Sequence, residues 1–370
     1  MRIGIISYDY APAIGGMGIV ARQYVERMRQ MFPEHSIIVI APGAAAEDRV
    51  SWLARFRFRK TGGCPLFSLV LSFRLGSIIR KHRLDVLHVH AGSGGVFLLR
   101  KPHCPLVVTA HHTYRQEATY VFLHQPLKRL WKILMGRLEQ RTYRMADAVV
   151  AVSQDTANAL SEDYGIQKAK IQVIENPVTI PAGDSSISKD YSSILYVGRL
   201  EERKGSWTIL QAMDLLRMRF PSIMLTVVGS NLIGPAVERF ITEKNLGKHI
   251  QLLGFVDQER YESERRRAGI VVVPSLLEGF GLVAAEAMAD GACVVASDAP
   301  GLRSLIKDKE TGLLFGSGDS ESCASAIEWA LRNSLEAALI GQRAAADIRV
   351  RCDITERTKD LEGVMRGAII

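Results

Sequence analysis

A chain of 370 residues, 47% hydrophobic and 23% charged, has the make-up of a globular protein with room for two cores. That balance excludes low-complexity and multi-span membrane classes, because the apolar runs are short beside the roughly 20 residues of a membrane helix. The net charge of +8 is unevenly held: residues 1–182 carry 24 basic and 13 acidic side chains, residues 183–370 carry 23 and 26.

The opening MRIGIISYDY reads as a strand, Arg2–Ser7, and lacks the longer apolar stretch and small-residue cleavage site of a signal peptide. A helix follows over Gly18–Met31, then strands at Ser36–Ile40, Val86–Val89 and Leu106–Thr109. A second helix, Gln125–Met145, precedes strands at Ala148–Val152 and Ile171–Ile174. The stretch NPVTIPAGDSSISKD (176–190) is rich in Pro, Gly, Ser and Asp and marks a join. Beyond it the scheme repeats, with strands at Ser193–Val197, Met224–Val228, Ile250–Leu253, Gly269–Val273, Cys293–Ala296 and Gly312–Phe315. Strands alternating with helices predict parallel sheets with right-handed crossovers, and the continuous VVV and CVVA runs suit strands buried on both faces. The expected architecture is α/β: two Rossmann-like doubly wound domains facing across a cleft. The expected limits are 1–182, 183–350 and a C-terminal helix over 351–370 packing back towards the first domain.

Some of the basic excess lies beside aromatics, in WLARFRFRK (52–60) and LKRLWKIL (127–134). Such surfaces suit anionic lipid headgroups or nucleic acid; a solvated face with half-buried aromatics is the plainer alternative. No zinc finger, RNA-recognition aromatic pattern or helix-turn-helix signature is present, so an anionic membrane is the expected partner and nucleic acid is not. Cys64, Cys104, Cys293, Cys323 and Cys352 are odd in number and lack CxxC spacing, which points away from a disulfide framework and towards a reducing cytoplasm. His88 and His90 share one strand face and could pair on a metal, but with no third ligand nearby a packing role is expected.

The chemistry concentrates in two loops. In YVGRLEERKG (196–205) a strand ends, Gly198 turns, and Arg199 and Lys204 follow before a helix, where two cations could hold a pyrophosphate. In PSLLEGFGLVAAEA (274–287) a buried strand ends at Pro274 and a flexible EGFG leads into a helix whose free amides can hold a phosphate or a sugar hydroxyl. A carboxylate there, Glu278, would compete with a phosphate, so it makes sense as an acceptor from hydroxyls. Glu286, two turns on, can reach another part of the same ligand, and a ribose diol is its natural partner. The ligand is then a nucleoside diphosphate joined to a polyol. Backbone near Gly229 and Phe255–Val256 is expected to face its base.

GRLEERKG, the two glutamates of EGFGLVAAE and DKETGLLF (308–315) together resemble the retaining glycosyltransferases of family four, with the GT-B fold. The resemblance extends along the chain through PAIGGMG (12–18), DVLHVH (85–90), VVTAHH (107–112), ADAVVAVS (146–153) and IQVIENPV (171–178). It implies that Arg199 and Lys204 neutralise the donor diphosphate, that Glu286 binds the ribose, and that Glu278 with the backbone of Gly279, Phe280 and Gly281 holds the sugar. It implies also that Gly15 and Gly16 close on the donor from the other domain and that His111 touches the sugar near its reacting face. The chain departs from the family at Ser304, where a Glu is frequent, and at Asn176-Pro177, where Asn-Gly is usual.

The function so implied is a retaining hexosyltransfer from a UDP- or GDP-linked sugar to a hydroxyl acceptor, lipid-linked or a growing glycan. No Asp-x-Asp motif is present, so the expected mechanism needs no metal and no cofactor beyond the donor. Three rivals stand beside it. GMGIVA (16–21) matches a dinucleotide fingerprint, but no acidic residue ends the next strand and the preceding loop is long. A sugar-nucleotide epimerase would share fold and ligand, and a catalytically silent sugar-binding protein would not need all four of Arg199, Lys204, Glu278 and Glu286.

Overall fold

The computed structural model describes residues 1–10, 15–42, 48–49, 63–180 and 189–370. WLARFRFRK (52–60) lies outside the described residues. The chain divides into two compact units, Met1–Pro177 with Ile354–Ile370, and Val178–Asp353.

In the first unit seven strands form one parallel sheet: β1 (Arg2–Ile6), β2 (Ser36–Ala41), β3 (Asp48–Arg49), β4 (Val86–Ala91), β5 (Leu106–Ala110), β6 (Ala148–Ala151) and β7 (Ile171–Val173). Their order is β3-β2-β1-β4-β5-β6-β7. Every residue of β4 and β5 is buried, as helices on both faces of a parallel sheet require. The helix Gly16–Met31 buries Val20, Ala21, Tyr24, Val25 and Met28, a stripe at helical spacing. Its Gly18 packs where a Cβ would stand 1.7 Å from the Asp9 carbonyl oxygen, so close backbone approach explains the glycine that matched a dinucleotide pattern.

The second unit has six parallel strands: β8 (Asp190–Val197), β9 (Met224–Val228), β10 (Ile250–Gly254), β11 (Ala268–Val273), β12 (Cys293–Ser297) and β13 (Leu313–Phe315). Their order is β10-β9-β8-β11-β12-β13. Strands β11 and β12 are wholly buried, and one apolar core including Ile209, Met213, Val272 and Ile327 fills the unit.

In each sheet the order reverses beside the first strand, between β1 and β4 and between β8 and β11. In doubly wound sheets the loops at the carboxyl ends of the strands diverge at such a reversal, which is where ligands bind in general.

The limits differ from those expected. The units divide at Pro177–Val178 rather than after 182, and the second runs to Asp353 rather than 350. Arg351 still closes the helix Ser334–Arg351, and a separate helix, Ile354–Ile369, belongs with the first unit, beside Gly16–Met31 and β4 to β6. The two-residue strand β3 was not foreseen, being too short to show a period.

Candidate active site

The second unit holds the cations and carboxylates singled out in the sequence. Strand β8 ends at Val197, and the chain turns at Gly198 into a single 3-10 turn, Glu202–Lys204. Gly205, with φ +63°, then starts the helix Ser206–Leu216. A Cβ at 205 would lie 1.8 Å from the Pro274 carbonyl oxygen, so glycine is what lets this loop touch the one leaving β11. Two further hydrogen bonds join them: the Leu276 amide donates to the Arg203 carbonyl (2.9 Å), and Arg203 Nη1 donates to the Leu277 carbonyl (3.1 Å).

Across this seam Lys204 Nζ donates to Glu278 Oε1 at 2.5 Å, Ser275 Oγ donates to the same oxygen at 2.8 Å, and Arg203 Nη1 stands 3.7 Å from Oε2. Burial works against the Glu278 charge, but Lys204 and Arg203 outweigh it and hold the pKa at about 2. Burial likewise draws the Lys204 pKa down, opposed by Glu278. Glu278 is therefore an acceptor of hydrogen bonds at any working pH, never a proton donor. Arg199 is 44% exposed at the outer end of the cluster and pairs with Glu201 at 3.2 Å, as Arg203 does at 3.1 Å.

The glycines after Glu278 serve the turn. Gly281, with φ +97°, caps the helix Leu282–Ala289, and Phe280 anchors the loop with a ring that is 3% exposed. The Glu278 amide donates to the Pro300 carbonyl at 3.1 Å, and a Cβ on Gly301 would meet the Glu278 carbonyl oxygen at 2.5 Å. Glu286 lies on the helix, where the Tyr261 hydroxyl donates to its Oε2 and Arg265 donates to its carbonyl at 2.6 Å. Burial raises its pKa, against the pull of Arg265. At the end of β10, where the base was expected, Phe255 is 90% exposed. Gly229 comes so close to the Gly198 carbonyl that a Cβ would lie 2.1 Å from its oxygen.

Gly15, Gly16 and His111 belong to the first unit. The Gly15 amide is committed to Asp9 Oδ2 at 2.8 Å, and Gly16 is exposed in the first helical turn. His111 follows β5 and is buried, its Nε2 3.0 Å from His90 Nδ1, with the two rings stacked at 5.3 Å. His88 completes the row, 2.7 Å from Thr109 Oγ1. Burial lowers the His88 pKa to about 4 and that of His111 to about 3, so these imidazoles are neutral. Among the described residues no group of three or more His, Cys, Asp or Glu side chains could hold a metal ion, and His88 and His90 pack in the core.

Arg203, Ser275 and Tyr261 were not foreseen. Arg203 sits in ERK beside Lys204, and nothing in the sequence alone separates it from a solvated charge. Ser275 and Tyr261 carry no local signal, since their roles depend on contacts across the fold.

Two sequence families match in succession: Glycosyltransferase Family 4 over residues 14–180 and Glycosyl transferases group 1 over residues 182–347. The chain is a family 4 glycosyltransferase. A phosphatidyl-myo-inositol mannosyltransferase of Mycolicibacterium smegmatis is 27% identical over 349 residues, covering 88% of this chain and 84% of that protein. A glycogen synthase of Mycobacterium tuberculosis is 25% identical, covering 95% and 90%. Among solved structures, sucrose-phosphate synthase from Thermosynechococcus elongatus aligns with a TM-score of 0.75 at 20% identity over 99% of this chain and 98% of that one. Anabaena HepE, in complex with UDP and glucose, aligns with a TM-score of 0.72 at 19% identity over 99% of both. These glycosyltransferases share the two-domain GT-B fold with this enzyme.

Proposed function

We propose that this glycosyltransferase moves a hexosyl group, with retention and without a metal, from a UDP- or GDP-linked sugar to a hydroxyl on a lipid-linked or growing glycan acceptor. The observation that carries the donor half is the pairing of Arg203 and Lys204 with Glu278, with Arg199 and Arg203 joined through Glu201, at the switch point of the second sheet. Breaking a sugar–phosphate bond leaves negative charge on the diphosphate, and fixed cations at that place lower the barrier without reorganising. Glu278, ionised throughout, accepts from sugar hydroxyls, and the backbone of Gly279, Phe280 and Gly281 borders the same ligand. Glu286 takes the ribose. Gly15 and Gly16 approach the donor, and neutral His111 offers a hydrogen bond to the sugar rather than a proton. The structures of Anabaena HepE in complex with UDP and glucose and with UDP-glucose support a nucleotide-sugar donor.

The acceptor half rests on the helix Pro126–Met145. Its Leu127, Leu130, Trp131 and Leu134 form an exposed stripe at helical spacing, with Leu127 84% and Trp131 55% exposed. Lys128, Arg129, Arg137 and Arg141 flank it, also exposed. Apolar residues bordered by cations fit an anionic bilayer surface, so the enzyme works at the cytoplasmic face of a membrane. Among the described residues no helix is long and apolar enough to cross one. The lipid headgroup in the name of the mannosyltransferase relative agrees with such an acceptor.

The donor test is thermal unfolding with UDP-, GDP-, ADP- and dTDP-sugars in the presence of chelator. A donor at about 100 times its dissociation constant adds ~2.7 kcal/mol to the native state, a visible rise in midpoint. No rise with any nucleotide sugar would overturn the donor reading. Activity abolished by chelator and restored by manganese would overturn the metal-free one. For the membrane, sedimentation with neutral and anionic vesicles decides: equal binding to both, or none, sinks the proposal.

A further inference from the structure

Glu286 is held from two directions by one face of the neighbouring helix. That helix, Gln258–Arg267, is capped by Asp257, whose side chain accepts from the Arg260 amide at 2.8 Å. Tyr261 and Arg265, one turn apart, share the face that meets Leu282–Ala289. The Tyr261 hydroxyl donates to Glu286 Oε2. Arg265 Nη1 donates to the Glu286 carbonyl at 2.6 Å and stands 2.7 Å from Asp290 Oδ2, while its guanidinium lies 5.5 Å from the centre of the Tyr261 ring. The tyrosine is thus clamped in place by a cation that is itself fixed at two further points. Glu286 Oε1 has no donor among the described residues.

We propose that Tyr261 is a specificity-determining residue that makes the donor site require a ribose, by fixing Glu286 as a carboxylate with one oxygen committed and one left for the 2′,3′-diol. The inference rests on the donor reading above and extends it to a residue outside the two loops. A diol needs a charged acceptor at one fixed place; an unrestrained glutamate on a buried helix flank would turn or take up a proton. The charged groups around Glu286 are Arg265, Asp290 and Glu262, of which the two carboxylates oppose its ionisation. Removing the hydroxyl of Tyr261 removes a hydrogen bond to the charged form, so the Glu286 pKa rises further and binding at the acid side fails at a higher pH.

The experiment is calorimetric titration of the full chain with UDP, GDP and ADP, each beside its 2′,3′-dideoxy counterpart, between about pH 5 and 8. The wild type should favour the ribonucleotide it binds by about tenfold, the factor one hydrogen bond to a charged group commands. Tyr261→Phe should lose most of that preference at neutral pH and move the acid limb of ribonucleotide binding upward, with dideoxynucleotide affinity unchanged. Glu286→Gln should lose the preference at every pH. Replacement of Tyr261 by 3-fluorotyrosine, which keeps the shape and strengthens the donor, should move the acid limb downward, and serves if the phenylalanine variant does not fold. A Glu286→Gln variant that retains the preference would overturn the ribose role of Glu286 itself. If Glu286→Gln loses it while both Tyr261 variants keep the wild-type preference and pH limb, the role of Tyr261 is refuted and that of Glu286 stands.

Discussion

Lys204→Met removes the ammonium at the seam and keeps most of the side-chain volume. Its partner Glu278 would keep Ser275 at 2.8 Å and Arg203 at 3.7 Å, but not the contact at 2.5 Å. The native pKa of Glu278, about 2 against an ordinary 4.5, corresponds to about 3 kcal/mol of stabilisation at 1.36 kcal/mol per pH unit. Because the folded-state pKa is the lower one, this stabilisation is fully present above about pH 4.5 and is lost as the pH falls towards about 2. Arg203 and Ser275 retain part of it, so Lys204→Met should cost about 2 kcal/mol at pH 7. Urea unfolding followed by tryptophan fluorescence reads this out, since Trp207 and Trp329 lie in the second unit. The difference between variant and wild type should narrow as the pH is lowered from 7 to 3. The double variant Lys204→Met with Glu278→Gln, which leaves no buried unpaired charge, should regain most of the loss. A loss under ~0.5 kcal/mol at pH 7, or one that does not change with pH, would refute the reasoning.

Gly205→Ala places a Cβ against the Pro274 carbonyl at positive φ and should destabilise the second unit by about 2–5 kcal/mol, seen as a lowered melting midpoint. Glu139, buried in the first unit, accepts from the Tyr143 and Tyr164 hydroxyls and the Tyr114 amide, yet burial dominates and raises its pKa to about 7. The native state then binds the proton more tightly than the unfolded chain, so stability should fall as pH rises from about 4.5 to 7; in Glu139→Gln that slope should flatten, by unfolding titrations at several pH values. His90→Phe frees His111 Nε2 from its partner and should lower kcat about tenfold with little change in donor KM, by initial-rate kinetics. Trp131→Glu with Leu127→Glu should abolish sedimentation with anionic vesicles while leaving activity on a water-soluble acceptor intact.

The fold was legible because most of its strands are short apolar runs rich in β-branched residues between longer helical stretches. Val271–Val273 and Val294–Val295 announce buried parallel strands, and the repeat of the scheme after Pro177 announces the second sheet. Glu278 and Glu286 stood out in the sequence because a carboxylate in the glycine turn and another two turns into the following helix are unusual for a purely structural segment. What the sequence did not disclose is that Lys204 and Glu278, 74 positions apart, neutralise one another, since that follows from β8 and β11 being neighbours. Tyr261 was invisible for the same reason, reaching Glu286 from a helix that reads as surface charge, QERYESERRR. His90 looked like a metal ligand or filler, and its part as the partner of His111 needed the register of β4 against β5, which sets His90 beside Thr109.

The seam between Lys204 and Glu278 has one more consequence. A cation that already has a carboxylate partner holds few loosely bound counter-ions, so a diphosphate bound as proposed would exchange with Glu278 at Lys204 rather than release chloride to solution. Binding driven by ion release weakens steeply as salt is added; binding by exchange of partners does not. A chain with a net charge of +8 would be expected to hold anions loosely and in a salt-sensitive manner. On the proposed donor reading, affinity at this seam should fall less with ionic strength than a net charge of +8 alone would suggest.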